Sequence, residues 1–350
     1  MSASTAASAW RRAKVRPAVL ALLLLGAARS PEPLALKSGG RVLVTGEGPA
    51  LFGWPGVYFE GRFRGTEVSA GVASDNDFFR VLVDGTERMV LKRPQAPVTI
   101  SGLPEGVHVI RIEKLTESQT GAARLLLFTV GKGGAALPPP PRRAQVEFIG
   151  DSYTVGYGNM SATRTCTRQE VHDTTDTQRA FGPLAAKRLG LDYRIVAYSG
   201  FGIVRNYNGN RPGESLPLLY LRMIPDDPAH LTPPRERWWR PKAIVVNLGT
   251  NDFSTPLHPG ETWGSPEALH AAYRAGYAAF ARRLMTAQPQ ARLILMKSDA
   301  FAADVDAVAR SLGPKARTVA FGGLELAGCD WHPSRKDHER LAALLEPLLR

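Results

Sequence analysis

The chain has 350 residues, 44% of them hydrophobic, with a formal net charge of +12. This length allows two domains of ordinary size, and the apolar fraction excludes global disorder. The positive charge is interspersed with acids and forms no long basic run, so solubility explains it better than nucleic-acid binding does.

Arg11, Arg12, Lys14 and Arg16 precede the apolar run "AVLALLLLGAA". A basic flank, a short apolar core and small residues after it read as a secretory signal over residues 1–30. The expected protein is therefore secreted or periplasmic, with no membrane association once the signal is removed. An uncleaved membrane anchor is the alternative, although the run is short for a span.

Residues 38–131 read as a jelly-roll-like β-sandwich. "GVYFEGRFRG", "EVSAGVA", "FFRVLVDG", "RMVLKR", "HVIRIEKL" and "RLLLFTV" are short and rich in Val, Ile and Phe. Several alternate apolar with polar residues, the pattern of a sheet with one wet face. Asp84-Gly85 is a tight-turn signal between two of them. Residues 132–145, "KGGAALPPPPRRAQ", read as a Gly/Pro-rich linker that stiffens at its prolines.

The rhythm changes over residues 146–350. Apolar runs "VEFIG", "YRIVAYSG", "AIVVNLG", "RLILMKS" and "TVAFG" alternate with helical patterns. Leu269, Tyr273, Tyr277, Phe280 and Leu284 fall on one helical face. Ser334 is a candidate cap for a final helix. This alternation predicts an α/β domain with a parallel sheet covered on both faces.

Chemistry-bearing residues fall just after the predicted strands, where open α/β sheets collect their active sites. Ser152 follows the first strand in "GDSYTVGYGN". A serine needs a base to become nucleophilic, and its oxyanion needs preorganised donors. Gly200 follows the second strand and can present a backbone N–H; alone, it would read as a turn glycine. Asn251 in "GTND" follows the third strand and can present its amide, or merely shape a turn. His332 in "GCDWHPS" precedes the final helix as the candidate base; alone it would be a surface histidine. Asp151 and Asp252 read as loop-organising acceptors. Trp331 reads equally as a sugar-stacking residue or a packing one. Trp238 and Trp239 read as packing residues, and "RNYNGNRPG" as a wall of the cleft. Cys166 and Cys329 lack zinc-type spacing and are expected to form a disulfide in an exported protein, two separate buried thiols being the alternative.

Together the four blocks resemble the GDSL-type, or SGNH, serine hydrolases. "GDSYTVGYGN", "SGFGIVRNYNG", "GCDWHPS" and the β domain are similar, more narrowly, to carbohydrate esterase family 2. That resemblance implies a jelly-roll domain joined to an SGNH domain and removal of acetyl groups from carbohydrate such as xylan or glucomannan. It implies Ser152 as nucleophile, His332 as base, and an oxyanion hole from the Ser152 and Gly200 N–H groups and Asn251. No metal or organic cofactor is implied. Two positions depart from the family: the first block reads GDSY instead of GDSL, with Tyr153 outside the expected chemistry, and Asp usually stands three residues before the histidine, where this chain has Cys329. Asp330 stands only two before. The expectation is a Ser152–His332 dyad oriented by a backbone carbonyl or another side chain, with Asp330 as third member the alternative. A lipase or thioesterase of the same fold, and a non-catalytic sugar-binding protein, are the competing readings.

Overall fold

The computed structural model describes residues 1–2, 32–46, 48–232 and 238–350. The signal segment, but for its first two residues, lies outside the described residues. Among the described residues, no helix is long and apolar enough to cross a membrane. Pro31–Arg350 forms one compact unit.

The N-terminal part is antiparallel. Its largest sheet runs Ala135–Leu137, Tyr58–Arg64, Val107–Lys114, Phe78–Val83, Thr86–Lys92, with Leu36–Gly39 also pairing to Tyr58–Arg64. Smaller antiparallel sheets complete it, and their apolar faces share a core built on Phe52, Phe59, Phe63, Val68, Val72, Phe79 and Ile110. The Asp84-Gly85 turn closes with both residues at positive φ, 52° and 77°, as a two-residue hairpin of this hand requires. The stretch read as linker carries a strand: Ala135–Leu137 pairs with Tyr58–Arg64, whose edge offers unpaired backbone groups.

The expected wet face of this sheet is not wet. Tyr58, Glu60, Arg80, Arg111 and Glu113 share one face, as the register Glu60↔Arg111 and Arg80↔Glu113 requires. That face packs against residues 176–193 of the second domain. Arg80 reaches Asp176 at 2.6 Å and Glu113 at 3.3 Å; Arg111 reaches Glu60 and Glu113, both at 2.8 Å. Lys187 reaches Glu113 at 3.0 Å, and Lys37 joins Glu60 at 2.7 Å to Asp192 at 3.0 Å. The alternation was real, but its polar half meets complementary charge instead of water.

In the second domain five strands are parallel: Gln145–Gly150, Asp192–Ala197, Pro241–Asn247, Arg292–Lys297 and Ala316–Ala320. The first lies between the second and third, and the fourth and fifth follow outward. The chain therefore steps to one side of the first strand and then to the other, which opens a crevice at its carboxyl end. Pro266–Ala287 buries the five residues expected on its inner face. Ser334 caps Arg335–Leu349 in a capping box with Asp337.

Removing Arg111 would take one cationic partner from each of the buried Glu60 and Glu113 carboxylates, leaving Lys37 on the first and Arg80 and Lys187 on the second. Burial alone would raise the Glu113 carboxyl, but Lys187 and Arg111 outweigh it and hold it down to about 2. Such a depressed carboxyl stabilises the fold above its unfolded pKa and loses that contribution as pH falls toward about 2. Arg111→Ala is predicted to cost roughly 3–5 kcal/mol in urea unfolding at neutral pH. A loss below about 1 kcal/mol would show that the network adds little.

Candidate active site

Each predicted block lies at the carboxyl edge of the parallel sheet. Ser152 opens the one-turn helix Ser152–Val155, two residues beyond the first strand's Gly150 and immediately after the cap Asp151. Asp151 accepts from the Tyr153 N–H at 3.0 Å, fixing the turn that presents the serine. His332 comes from the segment before the last helix, and its Nε2 lies 2.8 Å from Ser152 Oγ.

The other ring nitrogen meets main chain, not a carboxylate. His332 Nδ1 is 3.0 Å from the Cys329 carbonyl oxygen and 3.1 Å from that of Asp330. The Asp330 carboxylate points elsewhere and accepts from the Tyr157 hydroxyl at 2.9 Å. Both carbonyls face one nitrogen because Asp330 and Trp331 are consecutive left-handed residues, with φ of 50° and 54°. For non-glycine residues this costs on the order of 1 kcal/mol each, so other contacts must hold the turn. The Asp330 N–H donates to the Arg164 carbonyl at 2.6 Å, and the His332 N–H to that of Cys329 at 3.0 Å. Cys329 is fully buried and disulfide-bonded to Cys166, with Cα atoms 5.5 Å apart. The bridge lies against Gly158, where a Cβ would stand 2.4 Å from that of Cys329, so no side chain fits at this position of the nucleophile block.

Burial lowers the His332 pKa below that of an ordinary imidazole, while the two carbonyls and Asp330 oppose the fall. A neutral ring with Nδ1–H directed at carbonyls leaves the Nε2 lone pair for the serine proton.

Gly200 has φ +84° and open space where a Cβ would be. Among the described residues, neither its N–H nor that of Ser152 has a protein acceptor. Asn251 Nδ2 donates to the Phe201 carbonyl at 3.0 Å and has a longer contact, 3.4 Å, to Asp151 Oδ2. Asp252 accepts from the N–H groups of Ile203, Val204 and Arg205, so it organises the loop after Gly200. Burial pushes Asp252 up to about 6 against those three donors, and pushes Asp151 up to about 7, with Asp252 adding to the rise.

The loop "RNYNGNRPG" lines an open cavity of about 450 Å³ together with residues 258–263, including Trp263. Buried Arg205 ties the two walls through Glu261 at 2.6 Å. Trp331 is 62% exposed beside His332, so it is not a packing residue. Trp239 is buried as expected. Trp238 is 75% exposed, against expectation, because the chain turns there just before the third strand and only Trp239 faces inward. Sequence reasoning missed Tyr157, whose ring stacks on His332 with centroids 4.3 Å apart. It also missed the β domain's contribution: Ser118 Oγ donates to the Ala197 carbonyl at 2.6 Å and Gln119 Nε2 to that of Ser199 at 3.1 Å. Neither had a periodic or motif signal, since both depend on contacts between distant segments.

A strand-end serine paired with a histidine from before the last helix, on a parallel sheet of this order, defines a GDSL-type acylhydrolase. Residues 146–345 match the GDSL-like lipase/acylhydrolase family, and residues 38–140 match the carbohydrate esterase 2 N-terminal family. The chain belongs to carbohydrate esterase family 2 and is a carboxylic ester hydrolase. It is 43% identical over 338 residues to an acetylxylan esterase / glucomannan deacetylase of Cellvibrio japonicus, covering 92% of each chain. A solved carbohydrate esterase, described as having divergent catalytic and non-catalytic binding functions at its active site, superposes with TM-score 0.80 at 43% identity over 91% of this chain and 98% of that one. A family two carbohydrate esterase from Clostridium thermocellum in complex with cellohexaose gives TM-score 0.77 at 26% identity, covering 90% and 98%.

The Cys166–Cys329 bridge closes a loop of 163 residues. In the chain-entropy model this contributes on the order of 4–5 kcal/mol. Because the Cys329 carbonyl is also a partner of Nδ1, the double Cys166→Ser, Cys329→Ser variant is predicted to lose stability in urea and to lose kcat roughly tenfold, with a smaller change in KM. Unaltered kcat in the folded variant would show that the bridge does not hold the His332 turn.

Proposed function

We propose that this protein removes O-acetyl groups from carbohydrate of the xylan or glucomannan type, outside the cytoplasm, through a Ser152–His332 dyad. The single observation that carries the reading is the 2.8 Å contact between His332 Nε2 and Ser152 Oγ, with Nδ1 occupied by backbone carbonyls. The similar Cellvibrio enzyme supplies the substrate class.

In the proposed reaction His332 takes the Ser152 proton as Oγ attacks the acetyl carbonyl. The oxyanion is held by the N–H groups of Ser152 and Gly200 and by the Asn251 amide, which gives up its longer contact to Asp151 Oδ2 to do so. The imidazolium then returns its proton to the departing sugar oxygen, leaving an acetyl-serine. Water, deprotonated by the same imidazole, attacks that ester and releases acetate. Trp331, exposed beside the base, offers a face for a sugar ring. Export rests on the basic-then-apolar N-terminal sequence alone.

A small acyl group suits the site. Tyr153, Thr250, Phe253, Phe301 and Phe321, with Ser254, Ser298 and Ala300, line a cavity of about 130 Å³. Tyr153 and Thr250 adjoin Ser152 and Asn251 in sequence, and the small volume of this half-open, largely aromatic cavity supports a short acyl group.

Ser152→Ala is predicted to abolish acetate release from acetylated xylan and from a chromogenic acetate ester, by several orders of magnitude. Turnover above a few per cent in a folded variant would place the nucleophile elsewhere. In an acyl-length series, kcat/KM is predicted to fall from acetyl to butyryl and further to octanoyl. A rise with chain length would instead support a lipase or thioesterase.

A further inference from the structure

His332 has a neighbour with no role in the reaction as written. Tyr157 stands five residues after Ser152, in the same block, and touches both parts of the apparatus that orients the base. Its hydroxyl donates to Asp330 Oδ2 at 2.9 Å. Its ring stacks on the imidazole at 4.3 Å between centroids, with 30° between planes. Tyr153 covers a second side of the imidazole edge-on, at 5.6 Å.

These contacts bear on what is unusual in the site. The Asp330 carboxylate does not touch the imidazole, yet the Asp330 carbonyl does, and that carbonyl is aimed by a left-handed backbone. The 2.9 Å bond from Tyr157 ties that residue's side chain down, alongside the backbone bond from its N–H to Arg164. The same tyrosine presents its electron-rich face to a ring that becomes a cation during turnover. Donation to a carboxylate increases the electron density of the phenol, which strengthens that face.

We propose that Tyr157 is a positioning residue for the Ser152–His332 pair: its hydroxyl clamps Asp330, so that two carbonyls stay on Nδ1, and its ring stabilises the imidazolium. It thereby supplies, from the nucleophile's own block, the orientation and charge support that a triad carboxylate supplies elsewhere. Asp330 then acts on the base through Tyr157 and the backbone. The inference rests on the dyad reading of the site. The charged and titratable groups around the pair are Asp330 and His338 near the imidazole, and Glu117 and Arg168 near the Tyr157 hydroxyl, with the Tyr153 ring on the second side. Burial pushes Glu117 up to about 7, so its charge at neutral pH is partial.

The test separates clamp from ring. Tyr157→Phe keeps the ring and loses the clamp; it is expected to lower kcat about tenfold at nearly constant KM. Tyr157→Leu loses both and is expected to lower kcat roughly a hundredfold. Without the ring, the imidazolium is less stable, so the acid limb of kcat/KM moves to lower pH in Tyr157→Leu, by about half a unit or more, while the plateau falls. Asp330→Ala is expected to lose about tenfold or less, and the double variant Asp330→Ala, Tyr157→Phe no more than the worse single, because both remove one hydrogen bond. NMR titration of His332 in the Ser152→Ala background reads the same pKa shift without turnover, so it judges Tyr157 even if the proposed substrate is wrong. Four results would overturn the proposal: both Tyr157 variants within about twofold of wild type, additive losses with Asp330→Ala, an Asp330→Ala loss near 10⁴, or a Tyr157→Leu protein whose His332 titrates unchanged. Tyr157→Phe preserves shape and keeps the test open if Tyr157→Leu does not fold.

Discussion

Everything proposed for the site depends on where the Nδ1 proton of His332 goes. For Nε2 to accept from Ser152, Nδ1 must carry a hydrogen, and a part-buried N–H needs an acceptor. Here the acceptors are two main-chain carbonyls, those of Cys329 and Asp330. A carboxylate brings its own charge to that place and can be swung in by side-chain rotation. A carbonyl is aimed only by backbone. The base is therefore as well oriented as residues 328–332 are held. The disulfide, the fit of Cys329 on Gly158, the bond from Asp330 to Arg164 and the anchoring of the preceding segment by Asp337 all bear on that short stretch. Two left-handed residues persist because these contacts over-determine them.

The β domain is part of the same arrangement. Its charged face is desolvated against the second domain, so each of its charges needs a partner of opposite sign. Arg80 meets Asp176, whose backbone N–H and carbonyl both pair with the side chain of Asn159, the last residue of the nucleophile block. Gln119 meets the carbonyl of Ser199, beside Gly200. The domain thus braces both the segment after the nucleophile and the loop carrying a proposed oxyanion donor. Two domains that share a desolvated ionic face and an apolar core are expected to unfold together.

Most of this was legible in sequence, for physical reasons that differ by feature. The parallel strands were visible because strands buried on both faces are continuously apolar. The helix from Pro266 to Ala287 was visible because one face repeats, and the hairpin at Asp84-Gly85 because its backbone demands those residues. The Ser152 and His332 blocks were legible because the chemistry needs fixed residue types at strand ends. What alternation could not reveal was the partner of the polar face: Glu60, Arg80 and Arg111 have the same period whether they face water or a second domain. The exposure of Trp238 was hidden because, of two adjacent tryptophans, only Trp239 faces inward. Tyr157 was hidden because its partners lie some 175 residues away in sequence, at Asp330 and His332. Pro333 restricts His332 to extended backbone, so the turn falls just before it, at Asp330 and Trp331, leaving His332 at φ −89° and ψ 163°.

The tautomer of His332 is read directly by ¹⁵N NMR of the imidazole. In protein labelled at histidine, with the His332 signals assigned by their loss in a His332→Gln variant, the spectrum above the imidazole pKa distinguishes a protonated from an unprotonated ring nitrogen. Nδ1 is expected to be protonated and coupled to its hydrogen, with Nε2 unprotonated and facing Ser152. A neutral His332 with its proton on Nε2 would contradict it, because that ring could not accept the serine proton and its Nδ1 would have no hydrogen to offer the two carbonyls.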